Sequence, residues 1–223
     1  MPNAPVTAPL ALLLEGIAAL GLEVPGTAPA QFMIYLEELK LWNARINLTG
    51  LKDDRDIIIK HFLDSLAVLP FLEDAASLID LGSGAGFPGL VLKLARPRLT
   101  LTLVEARQKK AGFLEYLATR LQLTGVAVRQ IHLTPPQARA WAPQADAVVS
   151  RATFFLPRLL ELAAPLLAPG GWLLALKSAH LSGLELETAQ SACPLLALTP
   201  LESHKYHLPI SGEPRLVVRA RKI

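Results

Sequence analysis

The chain has a single cysteine, Cys193, in 223 residues, which excludes an internal disulfide and any metal site built on several cysteines. Redox chemistry on paired thiols is therefore absent. Long apolar runs are missing too. The longest stretch without a charge, Leu162 to Leu176, is interrupted by Pro165, Pro169, Gly170 and Gly171 and is shorter than the roughly 20 residues that span a bilayer. No basic residue precedes the first apolar stretch, which instead carries Pro2, Pro5 and Pro9. That is not the build of a secretion signal, so a cytoplasmic protein with no membrane association is expected. Net charge is also low, at +3, too little to argue for a polyanionic partner by its sum alone.

The distribution of that charge is informative. Residues 1–75 carry five Lys/Arg and ten Asp/Glu, whereas residues 76–223 carry seventeen and nine. A polyanion is thus expected to meet the C-terminal two-thirds. Hydrophobic residues make up 52% of the chain and mean hydropathy is +0.37, enough for one well-buried α/β core and a small appendage.

Apolar residues first recur at helical spacing, at Leu10, Leu13, Leu14 and Ile17, then Phe32, Tyr35, Leu36, Leu39 and Trp42, then Ile59, Phe62, Leu66 and Leu69. This pattern predicts three helices, the third opened by Asp53, Asp54 and Asp56, where negative charge suits the helix dipole. From Ala76 the pattern changes to short apolar runs alternating with helical ones, as in a parallel sheet with crossover helices. Strands are predicted at Leu78 to Leu81, Leu99 to Val104, Val126 to Val128, Ala147 to Val149, Trp172 to Leu176 and Leu216 to Val218. Helices are predicted at about 88–95, 107–122, 153–167 and 180–191. The expectation is a doubly wound, Rossmann-like α/β domain over residues 76–223 with an N-terminal helical cap over residues 1–75.

The most specific segment is Leu78-Ile-Asp-Leu-Gly-Ser-Gly-Ala-Gly-Phe-Pro-Gly89: a buried strand, a glycine loop, then a helix opened by Pro88. Such a loop builds a close ligand platform at the carboxyl edge of an open sheet. The next strand ends in Glu105, where a carboxylate can accept hydrogen bonds from both hydroxyls of a ribose. Together they point to a cofactor containing adenosine. Gly84, Gly86 and Gly89 satisfy the dinucleotide fingerprint, so an NAD(P)-dependent oxidoreductase stays open as an alternative. Asp80, however, places negative charge beside the loop, unhelpful for a pyrophosphate and favourable for the ammonium and sulfonium of S-adenosylmethionine. The Asp-x-Gly-x-Gly-x-Gly pattern and the turn Ala168-Pro-Gly-Gly-Trp-Leu-Leu resemble S-adenosylmethionine-dependent methyltransferases.

The resemblance narrows with Trp42-Asn-Ala-Arg-Ile-Asn-Leu-Thr49, Lys60-His-Phe-Leu-Asp-Ser-Leu66, Asp80 to Gly89, Ser150-Arg-Ala152 and Ala175-Leu-Lys177. Over roughly residues 30–223 the chain resembles the bacterial small-subunit ribosomal RNA guanine-N7 methyltransferases (RsmG or GidB). That resemblance implies a class I methyltransferase fold, S-adenosylmethionine as cofactor, and 16S rRNA or the small ribosomal subunit as partner, with no metal and a monomeric enzyme. Carried over by position, it adds Gly82, Phe87, Leu133, Thr134 and Arg151 as cofactor contacts, beside Asp80, Ser83, Gly84, Gly86 and Glu105 of the loop and acid. The stretch Gln130-Ile-His-Leu-Thr-Pro-Pro136 departs from the small residue and acid that the family commonly places after the third strand. A non-catalytic RNA-binding or assembly protein with a degenerate pocket is the reading which that departure motivates.

Guanine N7 carries an exposed lone pair, so its methylation implies placement of nucleophile against methyl donor rather than a general base. No catalytic acid or base is therefore assigned. Ser150-Arg151-Ala152-Thr153 is not the Asn/Asp-Pro-Pro-aromatic motif of exocyclic-amine methylation, and Cys193 lacks the setting of a nucleophile. His61 and Asp64, three apart on one helix face, and Arg151 and Lys177, at strand ends beside the loop, are the positioning candidates. Arginine there suits either phosphate or guanine O6. Arg107, Lys109 and Lys110, and His204 to His207 with Arg215 to Lys222, are candidates for further basic surface. Gly84→Val is expected to abolish S-adenosylmethionine binding by intruding a branched side chain into the loop, as measured by calorimetric titration.

Overall fold

A computed structural model describes residues 7–72, 74–141, 144–151 and 153–223. Two helices come first, α1 (Ala8–Ala19) and α2 (Ala28–Ile46). Each starts with proline in its first turn, where the missing N–H has no partner to lose. α2 ends at Asn47, whose left-handed φ of 52° turns the chain. The third predicted helix is a composite: α3 (Asp54–Ile57) runs into a π-helical stretch (Ile58–Leu63) and closes as α4 (Asp64–Leu66). Asp53 caps it, accepting hydrogen bonds from the Arg55 and Asp56 amides, as the local acids led one to expect.

The sheet then alternates with helices: β1 (Ser77–Leu81), α5 (Gly89–Ala95), β2 (Thr100–Glu105), α6 (Gln108–Arg120), β3 (Val126–Gln130), α7 (Pro135–Ala140), β4 (Ala145–Arg151), α8 (Leu156–Ala163), β5 (Leu167–Ser178), α9 (Gly183–Ala192), β6 (Glu202–His207) and β7 (Pro214–Arg221). Strand order is β3-β2-β1-β4-β5-β7-β6. The first five strands are parallel, and β7 lies antiparallel between β5 and β6. All six predicted strands are present. Two elements are additional. β6, Glu-Ser-His-Lys-Tyr-His, is a polar edge strand with no apolar run to betray it, and charge is tolerated where one side of a strand faces water. α7 follows two prolines that read locally as loop, yet Thr134 and Gln137 form a capping box that starts a short helix there.

Alternate residues of each central strand feed two cores. Leu78, Leu101, Leu103, Val149 and Leu176 face α1, α2, the composite helix, α5 and α6. Ile79, Leu81, Val104, Val148 and Ala175 face α7, α8 and α9. The N-terminal helices therefore share one apolar core with the sheet. Its centre is aromatic: Phe62, fully buried, lies 5.2 Å from the rings of Phe32 and Tyr35 and 5.8 Å from that of Phe87 in the glycine loop. Among the described residues no helix is long and apolar enough to cross a membrane.

Because Phe62 links the helical segment to the loop, Phe62→Ala should cost about 3–5 kcal/mol of stability, and should weaken cofactor binding as well. Denaturant unfolding and calorimetric titration check the two effects.

Candidate active site

Strand β1 places Asp80 at its carboxyl end, on the face towards α5. The side chain is fully buried. Oδ2 accepts the Gly89 amide at 2.9 Å, tying strand end to helix start, while Oδ1 has no hydrogen-bond partner among the described residues. Burial pushes the carboxyl up to about 7, against the opposing pull of the Gly89 amide and of Arg151. An unpartnered carboxylate oxygen beside a ligand loop is a group that a cation would stabilise.

The loop that follows is held by its own backbone and by β2. The Gly82 and Ser83 amides donate to the Val104 carbonyl at 2.9 and 3.1 Å, and the Ser83 hydroxyl donates to the Asp80 carbonyl at 2.9 Å. Gly84 has φ of +58°, a conformation costly for a β-branched residue, and a Cβ there would meet nothing nearer than the Gly82 carbonyl at 3.8 Å. The loop is open on that side, as a platform for a ligand requires. Gly86, by contrast, is closed: a Cβ would meet the Tyr35 hydroxyl and Leu90.

Glu105, buried at the end of β2, uses both carboxylate oxygens to organise the loop: Oε2 accepts the Gly84 amide at 2.9 Å and Oε1 the Arg107 amide at 2.8 Å. Each oxygen retains a lone pair for a diol. Glu105 also lines a cavity of about 210 Å³ with Gly82, Val104, Ile131, Leu133 and Thr153. Leu133 thus joins the loop and Glu105 around one space. Thr134 does not line it; its hydroxyl and amide both bond Gln137 at the start of α7.

A second group lies on the other side of Phe87. This ring is covered by Tyr35, stacked at 5.2 Å, and by His61 at 4.5 Å, with the Arg151 guanidinium 5.0 Å from its centre. The Tyr35 hydroxyl donates to the Ala85 carbonyl at 2.6 Å. Arg151, at the end of β4, reaches back to the composite helix, where Nη1 donates to the Lys60 carbonyl at 3.0 Å and lies 3.4 Å from Asp64 Oδ2. Its Nη2 lies 3.0 Å from His61 Nδ1. Burial, reinforced by the Arg151 charge, lowers His61 to about 3, so its ring is neutral.

Asp64 is a junction. Oδ1 accepts the Tyr206 hydroxyl from β6 at 2.7 Å and lies 3.6 Å from Arg215 Nε on β7. Thr49, Lys60, His61, Asp64, Arg151 and Arg215 line a cavity of about 550 Å³, with Lys177 at its rim. Lys177 is less free than its position suggests: the ammonium donates to the Phe154 carbonyl at 2.6 Å and pairs with Glu185 at 2.8 Å. Three of the four positioning candidates, His61, Asp64 and Arg151, therefore form one network, and Lys177 shares its cavity while bonding elsewhere. Sequence reasoning gave Tyr35 only a core position, and placed Tyr206 and Arg215 in the further basic surface rather than in this network. Tyr35 reads as a core position on a helix face, Tyr206 stands in the polar edge strand β6 that no apolar run reveals, and Arg215 lies just before the predicted apolar run of β7. Among the described residues no cluster could hold a metal ion.

A mostly parallel sheet with an antiparallel strand β7, an acid-ended strand β1 and a glycine loop beneath an acid at the end of β2 define the S-adenosylmethionine-dependent methyltransferases of class I. Solved structures agree at the level of the fold. An O-methyltransferase from Bacillus cereus in complex with SAH superimposes with a TM-score of 0.61 at 17% identity, over 85% of this chain and 91% of that one. A methyltransferase from Pyrococcus furiosus gives 0.61 at 13% identity, over 86% and 96%. Within that class the chain belongs to the rRNA small subunit methyltransferase G family (GidB), whose profile matches residues 29–212. Relatives named ribosomal RNA small subunit methyltransferase G include those of Chloroflexus aggregans, 42% identical over 95% of this chain and 89% of its own, and Myxococcus xanthus, 38% identical over 92% and 93%. The cofactor is S-adenosylmethionine. These likenesses favour neither the nicotinamide oxidoreductase nor the non-catalytic alternative.

If Asp80 must be ionised to receive the cationic cofactor, S-adenosylmethionine affinity should rise roughly fivefold from about pH 6 to about pH 7 and be flat over that range in Asp80→Asn. Isothermal titration at the two pH values checks this; an equal rise in the variant would place the titrating group elsewhere.

Proposed function

We propose that the protein transfers the methyl group of S-adenosylmethionine to N7 of a guanine in 16S rRNA. The observation that carries the reading is that no candidate proton acceptor among the described lining residues of the second cavity is unpaired. The His61 Nδ1 lone pair faces Arg151, Asp64 bonds Tyr206 and contacts Arg151 and Arg215, and Glu213 pairs with Arg215 at 2.7 Å. Such a cavity suits a nucleophile that carries its own lone pair and has no proton to lose, and among the positions of guanine N7 meets that condition.

The residues fit the cofactor. The open side of Gly84 leaves room for it, and the unpartnered oxygen of Asp80 supplies charge of the right sign for a sulfonium or ammonium. In this reading Gly82, Ser83, Gly84 and Gly86 shape the platform, Glu105 accepts from the ribose hydroxyls, and Leu133 closes the apolar side. Thr134 contributes no more than backbone, because its side chain caps α7. When bound, S-adenosylmethionine supplies an electrophilic methyl group on a cationic sulfur.

The protein's own work is then placement. Phe87 packs against His61 and Arg151, which line the second cavity, with Tyr35 and His61 fixing its ring and Arg151 fixing His61. Holding acceptor and donor in line can account for many kcal/mol of a barrier. Arg151, Arg215 and Lys60 line the cavity paired with Asp64, Glu213 and Asp56, and RNA phosphates would compete with those carboxylates for them.

Incubation with labelled S-adenosylmethionine and small subunits from cells lacking this protein should yield 7-methylguanosine at one position of 16S rRNA, mapped by chemical cleavage at the modified base and mass spectrometry. Label in another base, or none, would refute the assignment.

A further inference from the structure

The second cavity must tell guanine from adenine, since both purines present N7. Beside it, guanine carries an oxygen acceptor at position 6 and adenine an amino donor. A threonine hydroxyl is ordinarily no help, because it donates or accepts as its neighbour requires. Thr49 is different, and the reason is a chain of hydrogen bonds with a fixed direction.

Arginine only donates, so His61 Nδ1, 3.0 Å from Arg151 Nη2, presents its lone pair. The Lys60 carbonyl lies 3.1 Å from the same ring nitrogen, yet it already receives Arg151 Nη1 at 3.0 Å and needs no proton from the ring. The neutral ring therefore carries its hydrogen on Nε2, an assignment made from its neighbours. Nε2 is 2.7 Å from Thr49 Oγ1 and donates to it. The Leu51 amide donates to the same oxygen at 3.2 Å. Both lone pairs of Thr49 Oγ1 are thus engaged, and the hydroxyl keeps one capacity, that of a donor. None of the described residues accepts its proton. Thr49 is half-buried on the cavity wall, and its backbone is held by the Asn43 carboxamide, whose oxygen accepts the Thr49 amide at 2.9 Å.

We infer that the Thr49 hydroxyl is the specificity-determining donor of this enzyme, bonding the oxygen at position 6 of the target purine and opposing the amino group that adenine carries there. The inference rests on the guanine-N7 reading above. It also assigns a task to the Asn47-Leu-Thr49 segment, in which the left-handed turn at Asn47 returns the chain so that Thr49 meets His61.

The test uses the full-length enzyme with small subunits reconstituted from 16S rRNA bearing guanine, 2-aminopurine (N7 kept, oxygen at position 6 absent) or hypoxanthine (oxygen kept, 2-amino group absent) at the modified position. Wild type should prefer guanine and hypoxanthine over 2-aminopurine. Thr49→Val should lower kcat/KM on guanine about 10- to 100-fold, shrink the preference for guanine over 2-aminopurine by the same factor, and leave S-adenosylmethionine affinity unchanged. Thr49→Ser should restore both rate and preference. Comparing the preference between variants removes the intrinsic difference in N7 reactivity between the two bases. A preference unchanged in Thr49→Val overturns the inference while leaving the function standing. If that variant does not fold, equal turnover of hypoxanthine and 2-aminopurine by wild type overturns it equally. A wild-type enzyme that binds S-adenosylmethionine and labels no guanine N7 refutes the function, and this inference with it.

Discussion

Phe87 sits at the tip of the glycine loop with Tyr35 on one side, His61 on the other and the Arg151 guanidinium beside it. Four chain segments meet at that ring: α2, the composite third helix, the loop after β1 and the end of β4. The loop keeps its shape because the helices press on it, and the helices are held because Phe87 fills the space between them. Glu105 completes the arrangement from the far side by taking the Gly84 and Arg107 amides. The cofactor platform is thus a product of tertiary packing as much as of its glycines.

Charged groups are ordered around the same ring. Asp80 and Glu105 are both buried and both bond the glycine loop. Arg151 and Arg215 meet at Asp64, and Glu213 pairs with Arg215. His61 stands outside this pairing of charges. Burial and the Arg151 charge keep it neutral, so it orders its neighbours without adding a charge of its own.

Much of this was legible in the sequence because it is local. Strands β1 to β5 announce themselves as apolar runs, and Asp80 to Gly89 contains its whole platform within ten residues. The glycine loop and the acid at Glu105 point to a cofactor containing adenosine, and Asp80 with the family resemblance narrows it to S-adenosylmethionine. What escaped is long-range or lacks contrast. Tyr35 is 50 residues from the Ala85 carbonyl that it bonds, and nothing in α2 distinguishes it from its core neighbours. β6 alternates exposed and half-buried polar residues, which no hydrophobic periodicity reveals. The partner of Lys177, Glu185, stands in a helix whose docking depends on the fold. The capping box of Thr134 with Gln137, by contrast, is written in the spacing.

The bond between Tyr206 and Asp64 spans 142 positions of the chain. Synthesis delivers the glycine loop, Glu105 and Arg151 well before β6 leaves the ribosome. The surroundings of Asp64 are thus complete only once β7 has paired with β5 and β6 with β7, so the second cavity draws one of its walls from chain made long after the loop.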